Sequence, residues 1–273
     1  MNKTSGYPEE EREYQKTPHY HPTKSFYRTI VTLYPHAFQK QFFADVERLA
    51  FHAKLVFCPE ATLLDLGSGL SPLALGLQKL GMKTIMVDRF DYPADLNIIK
   101  DPQFVFKILE ENGVTLHQLN IEHFPLPLSD ATVDVIISIG LIEDLHKSPR
   151  SLFSEIVRVL KPGGKLLFGG PNAVNLRKRI SVLFGRTNYP PIKQFWENGD
   201  PNWFGHVREP TVNDLVWIAR TAGFRVLKVL GRNFIAKQNF SIMGRVGDAP
   251  LRLFPGLCSD IYVLANKEHN DGI

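Results

Sequence analysis

Cysteine is scarce: Cys58 and Cys258 are the only two in 273 residues, they lack metal-ligand spacing, and no disulfide can be inferred between them. That excludes a thiolate metal site of the zinc-finger kind, and a reducing cytoplasm is the expected location. Long apolar runs are missing too, since none approaches the roughly 18 residues needed to cross a bilayer. In place of an apolar leader the chain starts MNKTSGYPEEEREYQKTPHYHP, rich in charge and proline, so residues 1–25 are expected to form a mobile tail. Nor is one sign of charge in excess: 32 basic residues stand against 28 acidic ones, a net +4 too slight to indicate a nucleic-acid partner. No internal repeat or low-complexity block appears. What is present is a 44% hydrophobic chain long enough for one substantial core, hence one principal domain over 26–273.

From Thr62 onward short apolar runs alternate with segments of helical period. Strands are expected at Thr62–Leu66, Lys83–Val87, Thr115–Leu119, Val133–Ile139, Lys165–Phe168, Arg225–Leu230 and Asp260–Ala265. Helices are expected at Ser71–Leu80, Pro102–Glu111, Arg150–Leu160 and Thr211–Ala222. An earlier helix, Phe38 to Phe57, should cover the sheet edge or a ligand mouth. The alternation predicts an α/β fold: a doubly wound, seven-stranded, mostly parallel sheet with helices on both faces.

The first chemical signal is Leu63-Leu-Asp65-Leu-Gly67-Ser68-Gly69-Leu-Ser-Pro72, where a strand ends in a glycine turn and a helix begins. Such glycines let a ligand approach the backbone, and amides at the helix start offer donors. A dinucleotide fingerprint would continue to a third glycine, whereas Pro72 stands here. Asp88 closes the second strand 21 residues after Gly67, where a carboxylate can accept both ribose hydroxyls. Together these features predict an adenosine-type ligand, without distinguishing nicotinamide from sulfonium chemistry.

Four ordered motifs make that distinction: Asp65-Leu-Gly-Ser-Gly69; Val87-Asp88; Leu126 through Ser138; and Glu155-Ile-Val-Arg158-Val-Leu-Lys161-Pro-Gly-Gly164. In this order and spacing the chain resembles the class I S-adenosylmethionine-dependent methyltransferases, with a Rossmann-like sheet. The resemblance implies S-adenosylmethionine as cofactor, S-adenosylhomocysteine as product, and no metal. It assigns the methionine portion to Asp65, Gly67, Ser68 and Gly69, the ribose to Asp88 with Arg89 beside it, and the adenine to Asn120 and Ile121. Asn120 stands where family members commonly carry an acid. Ser138 in the fourth strand and Glu143 after it are expected to complete the pocket. Where the family often reads Glu-His-Leu, this chain reads Glu143-Asp144-Leu145-His146, so no role passes to His146. The Lys161-Pro-Gly-Gly164 segment is assigned a structural part, ending a helix and turning the chain into the fifth strand.

Residues 171–210 are too many for a simple turn and are expected to cap the acceptor end of the cleft. Pro171-Asn172 and the stretch Trp203 to Thr211 resemble a subgroup associated with bacterial sugar or surface-glycan pathways, which implies O-methylation of a glycan or small-molecule hydroxyl. His206 is the candidate base, because an imidazole titrates near neutrality, and Arg208 the candidate acceptor anchor, unless it pairs with Glu209 or Glu143. Tyr189, Trp196 and Trp203 are candidate acceptor walls or, alternatively, core of the insertion. Residues 176–186 alternate apolar positions with cations, which suits an ordinary amphipathic helix with a solvated basic face or, alternatively, weak attachment to an anionic membrane. A catalytically silent cofactor-binding partner protein and, less favoured, a nicotinamide-dependent dehydrogenase are the competing functions.

Overall fold

The computed structural model describes residues 22–91, 102–189, 192–197, 205–234 and 250–268. Two helices, α1 (Lys24–Thr32) and α2 (His36–Val56), precede the sheet. There follow β1 (Thr62–Leu66), α3 (Leu73–Lys79), β2 (Lys83–Asp88), α4 (Gln103–Glu111), β3 (Thr115–Gln118), β4 (Val133–Ile139), α5 (Arg150–Val159) and β5 (Leu160–Pro171). The insertion carries α6 (Leu176–Leu183) and α7 (Ile192–Glu197), after which α8 (Val212–Thr221), β6 (Phe224–Arg232) and β7 (Asp260–Lys267) close the fold. The seven strands lie in the order β3-β2-β1-β4-β5-β7-β6. The first five are mutually parallel, and β7 runs antiparallel to both β5 and β6.

Alternate residues of each strand feed two separate cores, which is why the apolar runs are nearly continuous in sequence. Leu63, Val135, Ile137, Leu167 and Tyr262 face the layer of α1 to α4. Leu64, Leu66, Ile136, Leu166 and Val263 face the layer of α5 and α8. Every one of these side chains is 1% exposed or less, except Val135 at 3%, so the central strands β1, β4, β5 and β7 are buried on both faces, whereas the edge strands β3 and β6 are partly exposed.

The fourth sequence motif has a load of structural work. Arg158 reaches back from α5 to Glu155 and Asp130 (2.7–2.8 Å) and donates to the carbonyls of Leu128 (2.8 Å) and Leu126 (3.1 Å). Glu155 in turn accepts from the Leu126 amide at 2.7 Å. Lys161 pairs with Asp134 at 2.7 Å, and Asp134 also accepts from the Thr62 amide, tying the starts of β4 and β1 together. The motif thus holds the loop before β4 to the helix after it. Because Lys161 through Gly164 bulges between paired residues, β5 begins at Leu160, earlier than Lys165.

Two expectations are corrected. Thr23 accepts from the Phe26 amide at 3.1 Å and caps α1, so residues 23–25 belong to the cap and first turn of a helix and not to the tail; residues 1–21 lie outside the described residues. The helix expected at Phe38–Phe57 covers a face of the sheet rather than its edge. Its His52 is buried edge-on to Tyr262 with ring centroids 4.7 Å apart, and burial, aided by Arg48 and Arg232, lowers its pKa to about 3.

Candidate active site

At the carboxyl end of β1, Gly67 and Gly69 have φ of +71° and +50°, which fold the chain sharply into α3. Their amides are already committed: Gly67 donates to the Val87 carbonyl at 2.9 Å and Gly69 to Asp88 Oδ2 at 3.0 Å. These two amides are therefore not donors left for a ligand. Asp88 Oδ1 accepts from the Phe90 amide at 2.7 Å, so both carboxylate oxygens are fixed, each with a lone pair to spare. Burial pushes the Asp88 pKa up, against the pull of those amides.

Asp65 sits one strand over on the same face, since Leu63 faces the helix layer and side chains alternate. It is 4% exposed, and its Oδ2 is buried with no hydrogen-bond partner. Burial, with a contribution from Asp88, raises its pKa to about 8. A buried acceptor without a donor costs roughly 1–3 kcal/mol, so this atom is suited to a ligand that brings a donor or a positive charge. Above it, Tyr34 between α1 and α2 donates to the Ser71 carbonyl at 3.1 Å, and burial together with Asp65 keeps that hydroxyl protonated. Tyr34 was not legible as a site residue, because its partner lies 37 residues further along the chain.

Glu143 follows β4 in a single 3-10 turn, Ile142–Asp144. Its carboxyl lies against Gly140 and Gly170 at the ends of β4 and β5, and a Cβ on residue 170 would stand 2.7–2.8 Å from both of its oxygens. It is 2% exposed, Oε2 has no partner, and burial raises the pKa to about 8. Asp144 likewise has a buried, unpartnered Oδ1. Leu141, from the same loop, lies against the glycine turn: a Cβ on Gly67 would meet its side chain at 3.0 Å.

The insertion returns to this loop. The Val207 and Arg208 amides donate to the Glu143 carbonyl at 2.6 and 3.0 Å, and the base of the insertion is closed by the Ala173 amide on the Pro210 carbonyl at 3.1 Å. His206 Nδ1 lies 2.9 Å from Glu209 Oε1, and Lys178 of α6 pairs with the other oxygen of Glu209. Glu209 raises the His206 pKa, outweighing burial, with Glu143 and Asp144 adding to the pull. The salt-bridge partners of Glu209 are thus Lys178 and His206 rather than Arg208, whose side chain is exposed.

Other expected residues fall less centrally. Arg89 points outward to Asp91 at 2.5–3.0 Å. Asn120 Oδ1 accepts from the Glu122 amide at 2.9 Å, which leaves its amide nitrogen for a base edge, while Ile121 is buried in the second core beside Val87 and Leu126. Ser138 shares the sheet face of Ile136, opposite Asp65, so the structure does not bring it alongside the carboxylates. Tyr189 and Trp196 are 65% and 84% exposed and form no core of the insertion. Trp203 lies outside the described residues.

Residues 64–168 match the family described as "Methyltransferase domain". A "probable S-adenosylmethionine-dependent methyltransferase" of Mycolicibacterium smegmatis is 37% identical over 106 residues, covering 39% of this chain and 34% of that protein. A "malonyl-[acyl-carrier protein] O-methyltransferase" of Marinomonas is 26% identical over 159 residues, covering 56% and 55%. The matches thus span about a third and about half the length of these curated relatives. Among solved structures, a "SAM-dependent methyltransferase, possible histamine N-methyltransferase" of Thermotoga maritima superposes with a TM-score of 0.55 at 20% identity, over 90% of this chain and all of that one. These findings show a methyltransferase domain over residues 64–168, and S-adenosylmethionine is the cofactor that such a domain implies. The residues present fit it: the unpartnered Asp65 oxygen and the fixed Asp88 carboxylate suit a cationic adenosine ligand.

Proposed function

We propose that the chain transfers a methyl group from S-adenosylmethionine to a hydroxyl of a sugar or other small molecule, with residues 171–210 capping the acceptor side. The observation that carries this reading is the double hydrogen bond from the Val207 and Arg208 amides to the Glu143 carbonyl. It holds the His206–Glu209 pair beside the loop that also touches the glycine turn. Bound at that turn, the cofactor supplies an electrophilic methyl on a sulfonium.

The chain's own residues do the rest. Asp88 accepts the ribose hydroxyls, and Asp65, whose pKa burial and Asp88 raise to about 8, answers the positive charge of the methionine portion, which favours its ionised form. Held by Asp88 and Asp65, the cofactor would supply that methyl to the acceptor hydroxyl, with the electron pair of the C–S bond left on sulfur. The hydroxyl proton goes to His206 Nε2, the ring nitrogen not engaged by Glu209. Glu209 fixes the ring and stabilises the imidazolium, while His206 and Lys178 together, against burial, keep the Glu209 pKa low. Arg208, exposed at the edge of the same loop, anchors an anionic group of the acceptor.

A pH–rate profile tests this arrangement. A raised His206 pKa means that the base stays protonated, and inactive, to higher pH than a free imidazole. Turnover should therefore fall as pH drops through an inflection above the ordinary value of about 6.5. Glu209→Gln removes the principal cause of the rise and should move that inflection to lower pH. An acid limb that stays in place in the folded variant contradicts the pairing of base and carboxylate.

A further inference from the structure

We propose that the outer face of the insertion, built on α6 and continuing through Trp196, docks on an anionic lipid bilayer. This face stands apart from the methyl-transfer reading and does not depend on it.

The helix α6 has eight residues and buries none of them. A helix so short gains little from its own backbone bonds and needs its apolar side covered. At 100° per residue, Leu176, Ile180 and Leu183 share one stripe, with Arg177 on one flank and Arg179 on the other. Lys178 falls on the opposite side, and it is the residue tied inward: its side chain is 14% exposed, paired with Glu209 at 12%. The stripe consequently points away from the body of the protein, as the exposures of Leu176 (38%), Ile180 (46%) and Leu183 (83%) record. Phe184, Ile192 and Trp196 prolong the same exposed character at 79%, 77% and 84%. Arg179 Nη2 reaches the Gly256 carbonyl at 3.5 Å, which brings in Leu253 and Phe254, themselves 78% and 62% exposed.

Charge selects the occupant. From Ala173 to Trp196 the sequence holds Arg177, Lys178, Arg179, Arg186 and Lys193 and not one Asp or Glu. An apolar stripe flanked by arginines, with aromatic residues beside it, is the composition of a helix lying in the plane of a headgroup layer. A second copy is a poorer occupant, because a two-fold interface would set each basic flank against itself. Among the described residues no helix is long and apolar enough to cross a membrane, so the contact is peripheral.

Co-sedimentation of the full chain with vesicles decides it, using phosphatidylcholine alone and phosphatidylcholine containing phosphatidylglycerol. Binding should appear on the anionic vesicles, weaken at least about tenfold on the neutral ones, and weaken again at high salt. The double variant Leu183→Glu/Phe184→Glu should lose at least about tenfold in vesicle affinity while its circular dichroism and its S-adenosylhomocysteine affinity stay as in the wild type. A double variant that binds like the wild type, or a wild type that ignores anionic vesicles at low salt, overturns the proposal. So does a lipid-independent dimer that the same double variant disperses, since the face would then belong to a second copy.

Discussion

His206→Ala should lower kcat by about 100- to 10,000-fold, the range that a positioned general base contributes, with S-adenosylhomocysteine affinity nearly unchanged. The reason for the split is positional. His206 is linked to the cofactor turn through the Val207 and Arg208 amides, the Glu143 loop and Leu141, whereas its Nε2 is not engaged by Glu209 and faces the acceptor in this reading. Removing the ring takes away the proton acceptor while the Val207 and Arg208 amides still hold the loop to the Glu143 carbonyl. Single-turnover methyl transfer to a hydroxyl acceptor, compared with calorimetry of the product cofactor, separates the two effects. A folded variant that loses less than about tenfold shows that the ring only pins the insertion. A variant that loses cofactor affinity in step with turnover places His206 in the wrong half of the site.

Asp88→Ala should weaken S-adenosylhomocysteine by about 1.5–3 kcal/mol, equivalent to roughly 10- to 150-fold in Kd, because two charge-assisted bonds to a ribose are lost. The carboxylate also organises the turn by accepting from Gly69 and Phe90, so alanine removes both ligand contacts and turn geometry. Asp88→Asn keeps the carbonyl acceptor and should fall between wild type and alanine, which distinguishes recognition from collapse of the turn. Unchanged affinity in a folded alanine variant removes Asp88 from the site.

The parts visible in sequence are those whose physics is local. Strands buried on both faces leave unbroken apolar runs, and β1 and β4 accordingly begin and end where periodicity puts them. The Gly67–Gly69 turn and Asp88 were legible because the strand-to-turn transition and the acid at the next strand end are both written in adjacent residues. What stayed hidden depends on contacts across the chain. The helix α1 is short and follows a polar segment, and its value lies in Tyr27, wholly buried, donating to the Leu73 carbonyl 46 residues away. In sequence Glu209 stood only as an alternative partner of its neighbour Arg208, yet it joins α6 to His206. The stripe on α6 was plain in sequence, but whether it faced the core or the solvent was set by one pairing, that of Lys178, which no periodicity reports.

In a crystal structure with S-adenosylhomocysteine bound, the distance from its sulfur to His206 Nε2 should be about 6–8 Å, room for one acceptor oxygen in near-attack contact with the methyl and in hydrogen-bond reach of the imidazole, with both ribose hydroxyls on Asp88. An adenosine bound away from Asp88, or a sulfur more than about 12 Å from His206 with the insertion turned from the cleft, contradicts it.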